Sequence, residues 1–175
     1  MTSSARATRT ATPTTSNATL FRGHRLSRRV SDYDAYLAGD RTDHVALYLS
    51  ESYVSDVDTL ADRADAERTG DGVVLVVDGD AGRSVFQKLT GMEAMEFGST
   101  AMQTPGHVDG DLVAGDCPNA ADGPGEDHRV EFVFSFAEAQ NEEVGGLYEE
   151  GDVVHAYGYC SCGTAYSDKW LAGER

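Results

Sequence analysis

The chain has 175 residues, of which 40% are hydrophobic, and a formal net charge of −16. That much apolar material supports a real core and excludes global disorder, and no apolar run is long enough to cross a bilayer as a helix. Residues 1–30 hold six arginines and no acid, whereas residues 31–175 hold all thirty Asp and Glu against eight Lys and Arg, a net of −22.

So acidic a body is a poor partner for DNA, RNA or anionic lipid, which need a basic face. A protein partner is compatible with it. Only two of its cations are lysine, Lys88 and Lys169. Carboxylates hold water well, lysine stems are avoided, and salt near 1 M shortens the screening length to about 3 Å, which removes most of the self-repulsion. Together these predict a cytoplasmic protein working in concentrated salt.

In chain order, residues 1–30 are rich in Arg, Ser and Thr without apolar periodicity and read as a disordered tail. Arg28-Arg29 has the outline of a twin-arginine export signal, but Ser31-Asp32-Tyr33-Asp34 follows where an apolar segment is required. The abrupt charge reversal places the expected start of the protein near residue 30, with the tail as an extension. Residues 31–175 then form one acidic α/β domain.

Ser31 is placed to cap a short helix carrying Tyr33, Tyr36 and Leu37, ended by Gly39. His44–Ser50 is almost wholly apolar and reads as a strand buried on both sides. A helix starting at Ser55 or Asp56 is expected to run through Ala64, and Val73–Val77 is a second buried strand. Asp78-Gly79-Asp80-Ala81-Gly82-Arg83 leads into a helix bearing Val85, Phe86 and Leu89, and is read as an ordinary strand–helix joint because it matches no phosphate-binding fingerprint. After Gly91, a helix with Met92, Met95 and Met102 is expected to turn those methionines into the core.

Thr104–Asp127 has no periodicity and many Gly and Asp, and so many residues without structure are usually functional or disordered. Val130 to Phe136 alternates as a strand with one clearly apolar face. Glu138–Tyr148 is weakly helical, and Val153–Cys162 is the last strand. Strands separated by helical stretches predict a single layered α/β domain with a four- or five-stranded mixed sheet and flanking helices.

Chemistry concentrates in three cysteines, Cys117, Cys160 and Cys162. Thiolate and imidazole are the donors of structural zinc sites, which use four ligands in a tetrahedron. Cys160 and Cys162 share a strand face, and Gly163 can bend the chain so that their sulfurs converge. Cys117 can close on them from the long loop, where zinc would help fix a segment with little apolar burial of its own. For the fourth ligand, His107 ranks first, His128 second, and His155 third because its strand parity is opposite; water would leave the metal open for chemistry. Packed thiols, a disulfide between Cys117 and one strand cysteine (disfavoured by a reducing cytosol and the odd cysteine count), and redox use are the competing readings of the same cysteines. Asp109, Asp111 and Asp116 lack the spacing of a calcium loop. Tyr148, Tyr157, Tyr159, Tyr166 and Trp170 are read as finishing a sheet face.

At Asp43-His44-Val45, Gly106-His107-Val108-Asp109, Gln140-Asn141-Glu142-Glu143-Val144-Gly145-Gly146-Leu147-Tyr148 and Cys160-x-Cys162-Gly163-Thr164-Ala165-Tyr166-Ser167-Asp168-Lys169-Trp170 the chain resembles a family of small haloarchaeal proteins of unknown function, over about residues 33–173. The resemblance implies a halophilic cytoplasm and brings no activity, ligand or catalytic residue. The expected function is therefore that of a non-enzymatic regulatory or partner-binding module with a structural zinc held by Cys117, Cys160, Cys162 and His107. The alternative is an enzyme using an open metal or a redox thiol at Cys160 or Cys162.

Overall fold

The structure is a computed structural model describing residues 30–120 and 127–175. The tail read over residues 1–30 lies, but for Val30, outside the described residues, as does the part of the long loop at 121–126.

The chain runs α1 (Asp32–Leu37), β1 (His44–Ser50), α2 (Val57–Ala61), β2 (Ala66–Thr69), β3 (Gly72–Asp78), α3 (Gly79–Thr90), α4 (Ala94–Ala101), β4 (His107–Val108), β5 (Gly115–Asp116), β6 (Val130–Glu138), α5 (Leu147–Glu150), β7 (Val153–Cys160) and β8 (Ala165–Leu171). Six strands form one sheet in the order β2-β3-β1-β6-β7-β8, and β4 and β5 form a small second ribbon. The fold is α/β, but the sheet has six strands rather than four or five. All its pairings are antiparallel rather than mixed. Short reversals explain this: Gly70-Asp71 joins β2 to β3, and Ser161–Thr164 joins β7 to β8, and links that short hold strands antiparallel.

Two cores lie on opposite faces of the sheet. On one, Val45, Leu47, Leu49, Leu75, Phe132 and Phe134 pack beneath Phe86 of α3 and Phe97 of α4. On the other, Ala46, Tyr48, Val133, Ala156, Cys160 and Tyr166 pack beneath Tyr33 and Tyr36 of α1 and beneath Val108, Leu112 and Cys117 of the long loop. The two-sided burial expected of β1 and β3 comes from a helical layer on one side and a helix plus a loop on the other. β6 is accordingly buried on both faces, not one.

Ser31 caps α1 by accepting from the Asp34 N–H at 3.0 Å, as its position predicts. Asp78 caps α3 by accepting from the Asp80 N–H at 2.9 Å, and Gly91 closes that helix at φ 74°. Gly82 lies against Val45, where a Cβ would come within 2.2 Å of Cγ2, so the glycine serves close helix–sheet packing. α2 is one short turn and a bit, because the strand β2 begins at Ala66. Of the three methionines only Met92 packs against the core, half-buried; Met95 and Met102 are 60% and 56% exposed, because Ala94, Phe97, Gly98 and Ala101 form the buried face of α4. The weak helix after β6 is reduced to α5.

Candidate metal centre

Three separate segments meet at the end of β7. β7 stops at Cys160, whose side chain faces the loop-covered core along with Val154 and Ala156. The chain then reverses: the Gly163 N–H donates to the Cys160 carbonyl at 2.8 Å, the Cys160 N–H donates to the Thr164 carbonyl at 2.9 Å, and Gly163 takes φ 89°. A side chain at that φ is strained, so glycine is required there. The turn lifts Cys162 to the surface, while Cys160 is only 1% exposed.

The second segment leads into β6, where Val130 pairs with Cys160. Ser161 ties this segment to the turn three times. Its N–H donates to the Arg129 carbonyl at 2.8 Å, its Oγ accepts from the Arg129 N–H at 3.0 Å, and its hydroxyl donates to the Asp127 carbonyl at 2.5 Å. His128 is thereby held beside Cys160. The third segment is the loop after β5. Buried Val108 and Leu112 anchor the β4–β5 ribbon that leads into it, and the Asn119 amide donates to Thr164 Oγ1 at 2.7 Å. Cys117 is thereby brought to Cys162.

One donor atom from each of Cys117, His128, Cys160 and Cys162 lies within 4.8 Å of every other, and these four can hold a metal ion; among the described residues no other such group occurs. Cys117 Sγ is 3.8 Å from Cys162 Sγ, and Cys160 Sγ is 3.5 Å from His128 Nδ1. In a tetrahedral site with bonds of about 2.3 Å to sulfur and about 2.0–2.1 Å to nitrogen, the S···S edge is about 3.8 Å and the S···N edge about 3.6 Å.

The sulfurs differ electrostatically. Cys162 Sγ lies 3.2 Å from Thr164 Oγ1, and its hydrogen bonding with Thr164 lowers that thiol to about 6. Burial pushes Cys117 up to about 11. Tyr166 is fully buried next to these groups, and its hydroxyl has no hydrogen-bond partner among the described residues. Burial raises its pKa, and the negative charge available at Cys160 and Cys117 raises it further.

The structure therefore brings Cys117, Cys160 and Cys162 together and joins them with His128, not with first-ranked His107. β4 explains the difference. Val108 enters the core, so its neighbour His107 points the other way, into a half-exposed site 3.3 Å from Asp168 and 3.2 Å from Asp109. His155 has the parity expected of it. It lies on the opposite face, stacked on Phe136 with ring centroids 5.2 Å apart and bonded to Tyr148 and Glu138 at 3.0 Å. Asp109, Asp111 and Asp116 do not converge: Asp109 meets His107, and Asp111 accepts from the Val113 N–H. Ser161, Asn119 and Thr164, which hold the three segments together, carry no signal in the sequence, because their roles depend on which strands become neighbours.

The chain belongs to a family described as a family of unknown function (DUF5807), whose model matches residues 66–173. All four candidate ligands fall within the match, which leaves out α1, β1 and α2. No curated protein and no solved structure matches the chain. The family brings no activity with it, in keeping with the resemblance noted from the sequence.

Proposed function

We propose that the chain is a non-enzymatic, regulatory or partner-binding protein of a salt-rich cytoplasm, whose long loop is clamped to the β7–β8 turn by a structural zinc ion. Cys117, His128, Cys160 and Cys162 are its ligands. The carrying observation is the pair of inter-ligand distances, 3.8 and 3.5 Å, which match two edges of a zinc tetrahedron. Three thiolates and an imidazole are a structural donor set. Four protein donors also fill the coordination sphere, whereas a catalytic zinc keeps one position for water. The open-metal enzyme thus loses ground to the structural reading. The strongly acidic body supports the halophilic setting.

Metal analysis of protein purified in molar KCl tests the reading. One zinc per chain is expected in the wild type and in His107→Ala. Cys160→Ser and His128→Ala are expected to lower zinc affinity by tenfold or more. Removing the ion with a chelator should lower the denaturation midpoint, since binding free energy at such a site is also folding free energy. A chain that purifies without zinc, binds none on addition and keeps its midpoint in chelator would refute the clamp.

A further inference from the structure

We propose that Cys162 is a hydroperoxide-reactive thiol and that Cys117 resolves it, so that oxidation exchanges the metal clamp for a disulfide. This inference rests on the zinc reading for its metal-release half and on the sulfur geometry alone for the other. The chain has three cysteines, none in a disulfide, and all three lie in this one cluster. They are not equivalent. Cys160 is 1% exposed and ends β7, its backbone paired with Val130 of β6 and its N–H donating to the Thr164 carbonyl. Cys162 is exposed at the tip of a turn. Its sulfur is the one a small oxidant meets first, and the Cys117 sulfur stands 3.8 Å behind it. A disulfide requires sulfurs about 2.05 Å apart, and a surface turn can move that far more readily than a paired strand.

The chemistry balances. The Cys162 sulfur attacks one oxygen of a hydroperoxide, the O–O bond breaks, and water (or an alcohol) leaves with one proton, giving the sulfenic acid. The Cys117 sulfur then attacks the Cys162 sulfur, the S–O bond breaks, and a second water carries away the hydroxyl. Two thiols are oxidised by two electrons and one peroxide is reduced. A metal at the site would keep only Cys160 and His128, and two donors do not hold a structural zinc. The loop would stay in place, since Val108 and Leu112 remain buried, but its tether would now be covalent.

The test uses the full chain, zinc-loaded, in molar KCl. Hydrogen peroxide is titrated in, zinc release is followed with a chromophoric chelator, and linkages are mapped by non-reducing peptide mass spectrometry. Zinc should fall from one per chain to none, with a mass loss of about 2 Da localised to a Cys117–Cys162 bond, and a dithiol reductant should reverse both. Release accompanied by sulfinic or sulfonic acid at Cys162 without that bond overturns the proposal, and so does a Cys117–Cys160 bond in its place. His128→Ala, which keeps every sulfur, should form the same bond even where its zinc content has dropped. A chain that binds no zinc but forms the bond would sink the clamp and leave the thiol chemistry standing; a chain that binds one zinc and resists peroxide would do the reverse.

Discussion

At the scale of single residues, the histidines show how position decides chemistry. His155 is half buried on the helix-covered face, where the titratable groups around it are Glu138, Tyr148 and Lys169. Burial holds its pKa below the ordinary 6.5, although Glu138 pulls the other way. The unfolded chain therefore takes up the proton at a higher pH than the folded one does. Below about 6.5 it binds more protons than the native state, so stability falls as pH falls. The stabilisation is present above the unfolded value and is lost as pH drops through the folded one. Urea midpoints at pH 7.5 and 5.5 should diverge more in the wild type than in His155→Gln; equal slopes would show that the imidazole is not penalised by its surroundings. At the candidate metal centre the choice between His107 and His128 also turns on residue-scale direction. His107 lies in the long loop and His128 directly after it, and only the inward turn of Val108 and the pairing of Val130 with Cys160 separate them. Neither can be read from spacing, whereas the low rank of His155 follows from strand parity and was legible.

At the scale of elements, Tyr166 of β8 is the part on which the loop rests. Its ring is fully buried, and it fills space left open by three glycines. A Cβ at Gly158 of β7 would come within 2.6 Å of Cζ, at Gly106 within 2.4 Å of Cδ2, and at Gly115 within 3.1 Å of the hydroxyl. Gly158→Ala must therefore displace the ring, and overpacking of this kind costs about 1–3 kcal/mol. Tyr166→Phe should do the opposite. Its hydroxyl has no partner among the described residues, and an unsatisfied buried polar group costs about 1–3 kcal/mol, so its removal should be neutral or stabilising by up to about 1 kcal/mol. Denaturant titration of both variants checks this, and a clear loss of stability in Tyr166→Phe would mean the hydroxyl is satisfied in solution. The same element shows what the sequence could not convey. β1 and β3 are continuous apolar runs and were legible to within a residue. β2 and β8 are edge strands whose sequences, AERT and AYSDKWL, carry charges because one side meets solvent. Without apolar alternation they look like helix end and loop. The long loop misled in the same way: Val108 and Leu112-Val113 follow no strand or helix period, yet Val108 and Leu112 are buried and Val113 packs against them, so the segment does contribute apolar burial to its own ordering.

At the scale of the whole molecule, charge governs. Ion pairs occupy Arg41 with Asp32, Arg63 with Asp65, Arg68 with Glu51 and Asp58, Arg129 with Asp127, and Arg175 with Asp168. With thirty acids against eight cations beyond residue 30, such pairing leaves most carboxylates facing one another across water. At about 10 mM salt the screening length is roughly 30 Å, longer than most distances across the domain, so nearly every pair of surplus charges repels; at about 1 M it is roughly 3 Å and only contacting charges interact. Self-repulsion of this kind acts against the compact state, and exposed ion pairs worth about 0–1 kcal/mol each do not offset it. Dialysis of the zinc-loaded chain from molar KCl into dilute buffer should therefore unfold it, read as loss of the far-UV circular dichroism spectrum. Sucrose at matched osmolality, which is excluded from protein surface but screens nothing, should protect less than KCl does. An unchanged spectrum at 10 mM salt would show that the core outweighs the repulsion, and would remove the physical ground for placing this protein in concentrated salt. Equal protection by sucrose would trace the effect to solvent exclusion and not to charge.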